Sequence, residues 1–312
     1  MYFPYFRGKQ EEIIAIDSVK DLVAPAAQIP IIEPVRESTR ATNRITRVVN
    51  ELTALGGQCI IISNPRLGEY RQDFSSLRTY LTTEFAGNAN VLFGVIIDST
   101  TPTADLNWAS GAVGMSRVVL IHQAQTVIPS LNTISTGVAW NIFFEGVVGP
   151  AYINLFVGSP KARIKDGFKR RNNADYQSTE FFSNNHATFS NDGYNGFGDF
   201  LTVGDYYQDS GGAAFAVALH LTHFLTVPPL DEVHIRHFIS TTNATQQNPA
   251  GKFAEALTSL MAHYNGPNNV IPYSRGVQGY IDLHASQHYP NLGRPKRLSM
   301  MHHMELMTAR FP

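Results

Sequence analysis

Cysteine is almost absent: Cys59, inside the apolar run CIII, is the only one. A single thiol closes no intramolecular disulfide and excludes a zinc site built from several cysteines, so the fold does not lean on oxidation. Charge is also scarce, at 16% of 312 residues, with a formal net charge of −1. That leaves no global field to draw the chain onto nucleic acid or an anionic membrane. No apolar run approaches the roughly 18 residues that a spanning helix needs. The opening MYFPYFRGKQ lacks the basic-then-apolar order of a signal peptide. The expectation is a soluble, cytoplasmic protein with no membrane partner. No glycine-rich phosphate loop follows an early apolar run, and no HExxH occurs.

What the chain does have is a regular beat. Apolar runs at 2–7, 29–33, 59–64, 91–98, 117–122, 140–145, 161–166 and 199–204 alternate with helical stretches. In RESTRATNRITRVVNELTALGG, for example, Ala41, Ile45, Val48, Val49, Leu52 and Leu55 recur at three- and four-residue steps before Gly56 and Gly57 stop the helix. Further crossovers are expected at 102–113, 124–137 and 149–159. Continuous apolar strands alternating with helices read as a parallel sheet covered on its faces. Eight of them predict a closed (β/α)8 TIM-like barrel, in preference to an open doubly wound sheet. The barrel core is expected over 1–205, with 168–196 as a long aromatic, amide-rich loop. Residues 206–312 are expected as a C-terminal elaboration packed on the barrel, not an independent domain. They hold the apolar runs AAFAVALHLTHFL and EVHIRHFIS, a helix at 252–264 and the Met-rich end RLSMMHHMELM.

Polar residues terminate the strands. Arg7 and Lys9, Glu33, Asn64, Asp98, His122, Glu145, Asp166 and Asp205 each stand at or just after the end of an apolar run. In a parallel barrel those ends open onto one face, where barrel enzymes keep their active sites. The plain alternative is that each caps the helix that follows. Glu33, Asp98 and Asp166 are candidate oxygen ligands for a divalent metal. His122 is a candidate general base, and paired carboxylates such as Glu145 and Asp166 can split into acid and base roles. Directly after the seventh run, IKDGFKRRNNADY carries Lys169, Arg170 and Arg171. Loops after the last strands of barrels often hold phosphate, and arginine presents a planar fork suited to it. Arg170 and Arg171, with Arg7 and Lys9, are therefore candidate anchors for a phosphate-bearing or nucleotide-like ligand, unless they only pair with Asp166 and Asp175. HLTH spaces two histidines three apart and MHHME puts an acid three after His302, spacings open to metal ligation. HLTH lies in an apolar run, and core or interface histidines are the preferred reading.

The segments FPYFRGKQEE, IPIIEP, IISNP, DGFKRRNNADY, GFGDFLTVG and MHHMEL together resemble a bacterial family related to the beta-protein family of phages and bacteria. The resemblance runs along almost the whole chain. It brings no assigned reaction. It implies a cytosolic protein of mobile or defence-associated loci, sometimes beside a small nuclease-like partner. The leading expectation is a defence-associated barrel enzyme, a metal-assisted hydrolase of a phosphate-bearing ligand. Asp98, His122, Glu145 and Asp166 would do its acid–base or metal work. The alternative is a catalytically silent barrel that senses a phage component or holds a nuclease- or toxin-like partner. Its binding surfaces would be the Met-rich end and the aromatic 168–196 segment. The enzyme reading requires the strand-end acids and His122 to converge.

Overall fold

The computed structural model describes residues 1–25, 27–126, 137–209 and 215–311. Its first elements keep the expected beat: β1 (Tyr2–Phe6), α1 (Gln10–Val23), β2 (Ile31–Ile32), α2 (Thr39–Ala54), β3 (Cys59–Ile62), α3 (Ser75–Phe85), β4 (Val91–Ile97) and α4 (Thr103–Val113). β5 (Val118–His122), β6 (Trp140–Phe144), α5 (Pro150–Ile153) and β7 (Lys161–Ile164) follow. Most of the crossover expected at 124–137 lies outside the described residues. The chain then forms β8 (Thr179–Ser183), α6 (Asn185–Thr188), β9 (Gly196–Asp199), β10 (Ala218–Val227), β11 (Leu230–Ile239), α7 (Pro249–Tyr264), α8 (Arg275–Ser286) and α9 (Gly293–Arg310).

Two compact units result. One comprises Met1–Lys165, Thr188–Asp199 and the end of the chain from Phe311; the other comprises Asp166–Ala187 and Phe200–Arg310. This division differs from the expected boundary at 205. The stretch 168–196, expected as a loop, contributes β8 to the second unit.

The first unit is a closed barrel of parallel strands in the order β1-β2-β3-β4-β5-β6-β7-β9. The chain folds as a (β/α)8 barrel. Helix α2 shows how the pattern works. Ser38 caps it by accepting from the Ala41 N–H, and Ile45, Val48, Val49 and Leu52 are buried, while Leu55 lies past its end and is exposed.

The eighth barrel strand is displaced from its expected position at 199–204 to Gly196–Asp199. The apolar run FLTV suggested a strand, but Leu201 and Gly204 have left-handed backbones and turn the chain. Closure explains the use of glycine. β9 pairs with β1 through Tyr2↔Phe197, Phe3↔Gly198 and Pro4↔Asp199. A Cβ on Gly198 would lie 2.2 Å from the Phe3 carbonyl oxygen, and one on Gly196 would lie 2.7 Å from the Phe3 ring. Phe3 fills that space and meets Trp140 of β6 at 4.8 Å, while Tyr5 meets Phe144 at 5.8 Å. Neither residue's strand neighbours β6, so both contacts cross the barrel interior. Odd-numbered residues of β1 therefore face inward.

The second unit is built on an antiparallel sheet in the order β10-β11-β8. Helix α9 is the Met-rich end, and it is a core element, not an exposed surface. Met300, Met301, Met304 and Met307 are buried, as are His302 and His303. His302 Nε2 donates to the Thr222 carbonyl at 2.7 Å, and His303 Nδ1 lies 2.9 Å from the Thr222 hydroxyl. Both contacts tie α9 to β10.

Because Gly198 has no room for a methyl group against backbone, Gly198→Ala should lower the unfolding free energy by about 3 kcal/mol. Gly111→Ala in α4, where nothing stands within 4 Å, should raise it by about 0.5–1 kcal/mol. Urea unfolding of the two variants checks both signs.

Candidate functional site: the mouth of the barrel

Inward parity carries polar residues past the ends of the first four strands. Arg7 continues the Phe3–Tyr5 face of β1, and Glu33 follows β2 at the same level. Glu33 has no solvent exposure. One of its oxygens accepts from the Arg7 guanidinium and, at 2.8 Å, from the Tyr5 hydroxyl. The other accepts from the Arg66 backbone N–H at 2.9 Å. The Arg7 guanidinium also lies over the Tyr5 ring, 4.8 Å from its centre. A buried charge is tolerable only with such partners.

Arg66 extends the network to the fourth strand. Its Nε donates to Asp98 at 2.5 Å, a terminal nitrogen donates to Thr101 at 2.7 Å, and the other donates to the Asn64 carbonyl at 3.1 Å. Asp98 also accepts from the Thr100 N–H and hydroxyl at 2.8 and 2.7 Å. Burial opposes ionisation of Asp98, but the donors from Arg66 and Thr100 outweigh it and bring its pKa down to about 2. Asp98 is thus a fixed anion at neutral pH, unsuited to proton transfer. The mouth holds a lattice of alternating charges: Arg7, Glu33, Arg66 and Asp98.

The other expected site residues are placed elsewhere. Asn64 is buried and acts as a clamp, bonding both the N–H and the carbonyl of Ile96 and reaching Asp105 at 3.0 Å. Lys9 sits at the start of α1, where its N–H meets Glu12 at 3.3 Å. His122 shares the parity of Val118 and Leu120, which face the helices, and it follows them into that outer core. Its nitrogens face the Tyr152 hydroxyl at 3.0 Å and the Asn141 side chain at 3.1 Å, and Phe143 stacks on it at 4.5 Å. Burial lowers its pKa to about 3, so it stays neutral and is no general base near pH 7. Glu145 points the same outward way and pairs with Lys165 at 3.0 Å. Within the second unit, Asp166 accepts from the N–H groups of Phe168 and Asp205, at 2.9 and 2.7 Å, and so staples a turn. The proposed acid–base set is therefore not one cluster. Glu33, Asp98 and Asp166 do not make the expected metal site either. Among the described residues no group of three or more His, Cys, Asp or Glu is arranged to hold a metal ion.

In the second unit, DGFKRRNNADY folds around a polar cluster that the sequence reading missed. Arg171 pairs with Glu180 at 2.6 Å, and Glu180 meets His237 Nε2 at 3.1 Å. His237 Nδ1 lies 2.7 Å from Nδ1 of His220. Tyr176 stacks on His237 at 4.5 Å, and Phe168 packs edge-on against His220 at 5.0 Å. Arg170 lies over the Tyr206 ring. A signal for this cluster exists in the sequence. HLTH and HIRH each space two histidines three apart, so antiparallel pairing aligns His220 with His237 and His223 with His234.

No family model matches the chain, and no curated protein matches it. Among solved structures it is similar to an endo-beta-1,4-mannanase from Thermotoga petrophila, at 10% identity over 68% of this chain and 69% of that one, with a TM-score of 0.40. A likeness at that level carries no functional argument, and the barrel assignment rests on the closed strand ladder. No helix among the described residues is long and apolar enough to cross a membrane.

Glu33→Gln should cost about 3–5 kcal/mol, because it strands the Arg7 guanidinium in a buried place; chemical denaturation measures this. The folded-state pKa values of His122 and His302, about 3 and about 4, lie below the ordinary imidazole value. The unfolded chain thus binds these protons first, near pH 6.5. Their contribution to stability is complete above that pH and is lost as the pH falls towards 4 and then 3. The urea midpoint should drop between pH 7 and pH 5, and a flat profile would contradict the assignment.

Proposed function

We propose that the mouth of the barrel binds a small phosphate-bearing or nucleotide-like ligand, with Arg7 and Arg66 as the cations that face it. One observation carries the reading: two guanidinium groups just past the ends of β1 and β3, on either side of β2, are held in fixed directions by carboxylates, at the end of the barrel where ligands bind. A guanidinium fixed in direction by one carboxylate is preorganised for an anion, because little freedom is left to lose. Glu33 and Asp98 act as the supports of the two arginines. Any chemistry on the bound ligand would draw on Glu33 and Tyr5, since His122 and Glu145 face away from the interior and Asp98 is locked as an anion. We extend the proposal to a bacterial defence setting on the resemblance of FPYFRGKQEE and DGFKRRNNADY alone.

The alternative of a silent partner-binding barrel relied on the Met-rich end and the 168–196 segment. Met300, Met301, Met304 and Met307 of the first, and Tyr176 and Phe182 of the second, are buried, which favours the ligand reading.

A thermal-shift panel of inorganic phosphate, sugar phosphates and nucleoside mono- and diphosphates should raise the melting temperature for at least one class. Arg66→Lys keeps the charge but loses the planar fork, and should weaken that binding by about tenfold or more. A folded protein that responds to no phosphorylated compound would sink the proposal.

A further inference from the structure

The cluster wrapped by DGFKRRNNADY has a determined pattern of protons. Glu180 offers only acceptor oxygens, one of which takes the Arg171 donor, so at 3.1 Å it accepts a hydrogen from His237 Nε2. A neutral His237 that carries its hydrogen on Nε2 has a lone pair on Nδ1. The 2.7 Å separation between the two Nδ1 atoms then requires His220 to supply the hydrogen between them. His220 therefore carries its hydrogen on Nδ1 and keeps a bare lone pair on Nε2. His220 is partly exposed, and no described residue bonds to that nitrogen. Phe168 and Tyr176 pack its ring at 5.0 and 4.9 Å and hold its direction.

We propose that Glu180, His237 and His220 form a proton relay in which Nε2 of His220 is a general base for a small substrate bearing an ionisable hydroxyl. In the step, the substrate O–H bond breaks, its electron pair stays on oxygen, and the proton goes to Nε2. The imidazolium of His220 keeps its Nδ1–H bond to His237, whose own N–H faces the carboxylate of Glu180. Charge gained at one end is thus met at the other. His220 is the catalytic group; His237 and Glu180 position it, and Arg171 holds Glu180. Burial, with His237 and Lys296 adding to it, holds the His220 pKa well below the ordinary imidazole range. The lone pair is accordingly present at neutral pH. Burial likewise lowers His237, with Glu180 opposing. The charged and titrating groups that face the pair are Glu180 from β8, Arg171 and Tyr176 from the preceding segment, and Lys296 from α9. An anionic substrate suits that surround, since Lys296 is exposed.

Diethyl pyrocarbonate acylates a neutral imidazole lone pair, so it serves as the probe on the full chain, read by peptide mass spectrometry. His220 should be modified in the folded protein, while His122, His237 and His302 are not. In Glu180→Gln, the pH at which His220 becomes reactive should move down by about one unit, because the relay loses the anion that favours the protonated ring. A His220 that does not react, or a profile unchanged in a folded Glu180→Gln variant, overturns the proposal. If that variant fails to fold, imidazole nitrogen NMR of the unaltered protein decides. Hydrogens on His220 Nδ1 and His237 Nε2 support the relay, and the opposite tautomers refute it.

Discussion

A carboxylate with no access to water must be satisfied by the protein itself, and the mouth of this barrel is arranged around that demand at Glu33. Its three donors come from different places: Tyr5 and Arg7 from the inward face of β1, and the Arg66 N–H from the turn after β3. Placing them there fixes much else. Arg66 is brought to the position from which its side chain reaches Asp98 and Thr101, so the first four strand ends become one lattice. The cost of burying these charges is hard to justify by stability alone, since apolar residues often do as well in such places. Its location past the ends of the barrel strands, where barrel proteins hold their ligands, is what the proposed anion site would use.

The two units handle charge differently. In the barrel, charge is locked: Asp98 is held ionised by Arg66 and Thr100. In the second unit, imidazoles dominate, and burial keeps them neutral. A locked lattice is suited to holding an anion in one orientation. A chain of neutral rings ending in a carboxylate is suited to moving a proton.

Much of the barrel was legible because continuous apolar runs and three-to-four-residue helical spacing have distinct periods. The eighth strand was not, because GFGD earns its place through what it lacks: glycine leaves room for Phe3, and no hydrophobic pattern announces that. Strand ends were read as if all faced one cavity. Alternation decides otherwise. Arg7 shares the face of Phe3 and Tyr5 and turns inward, whereas His122 shares the face of Val118 and Leu120 and turns outward into the helix layer. Arg66 was overlooked because it stands two residues beyond Asn64, past the strand, where only the fold shows what it reaches. The pairing of HLTH with HIRH was present in the sequence, but its meaning depended on an antiparallel register that spacing alone does not supply.

The central claim is that Arg7 and Arg66 form a fixed anion site at the barrel mouth. Its most direct test is a crystal of the full chain soaked in tungstate, a heavy analogue of phosphate located by anomalous scattering. The account predicts tungstate within hydrogen-bonding distance of both guanidinium groups, with the Arg7–Glu33 and Arg66–Asp98 pairs kept. Tungstate bound only at other surfaces, or a mouth that stays unliganded at saturating concentration, would contradict it.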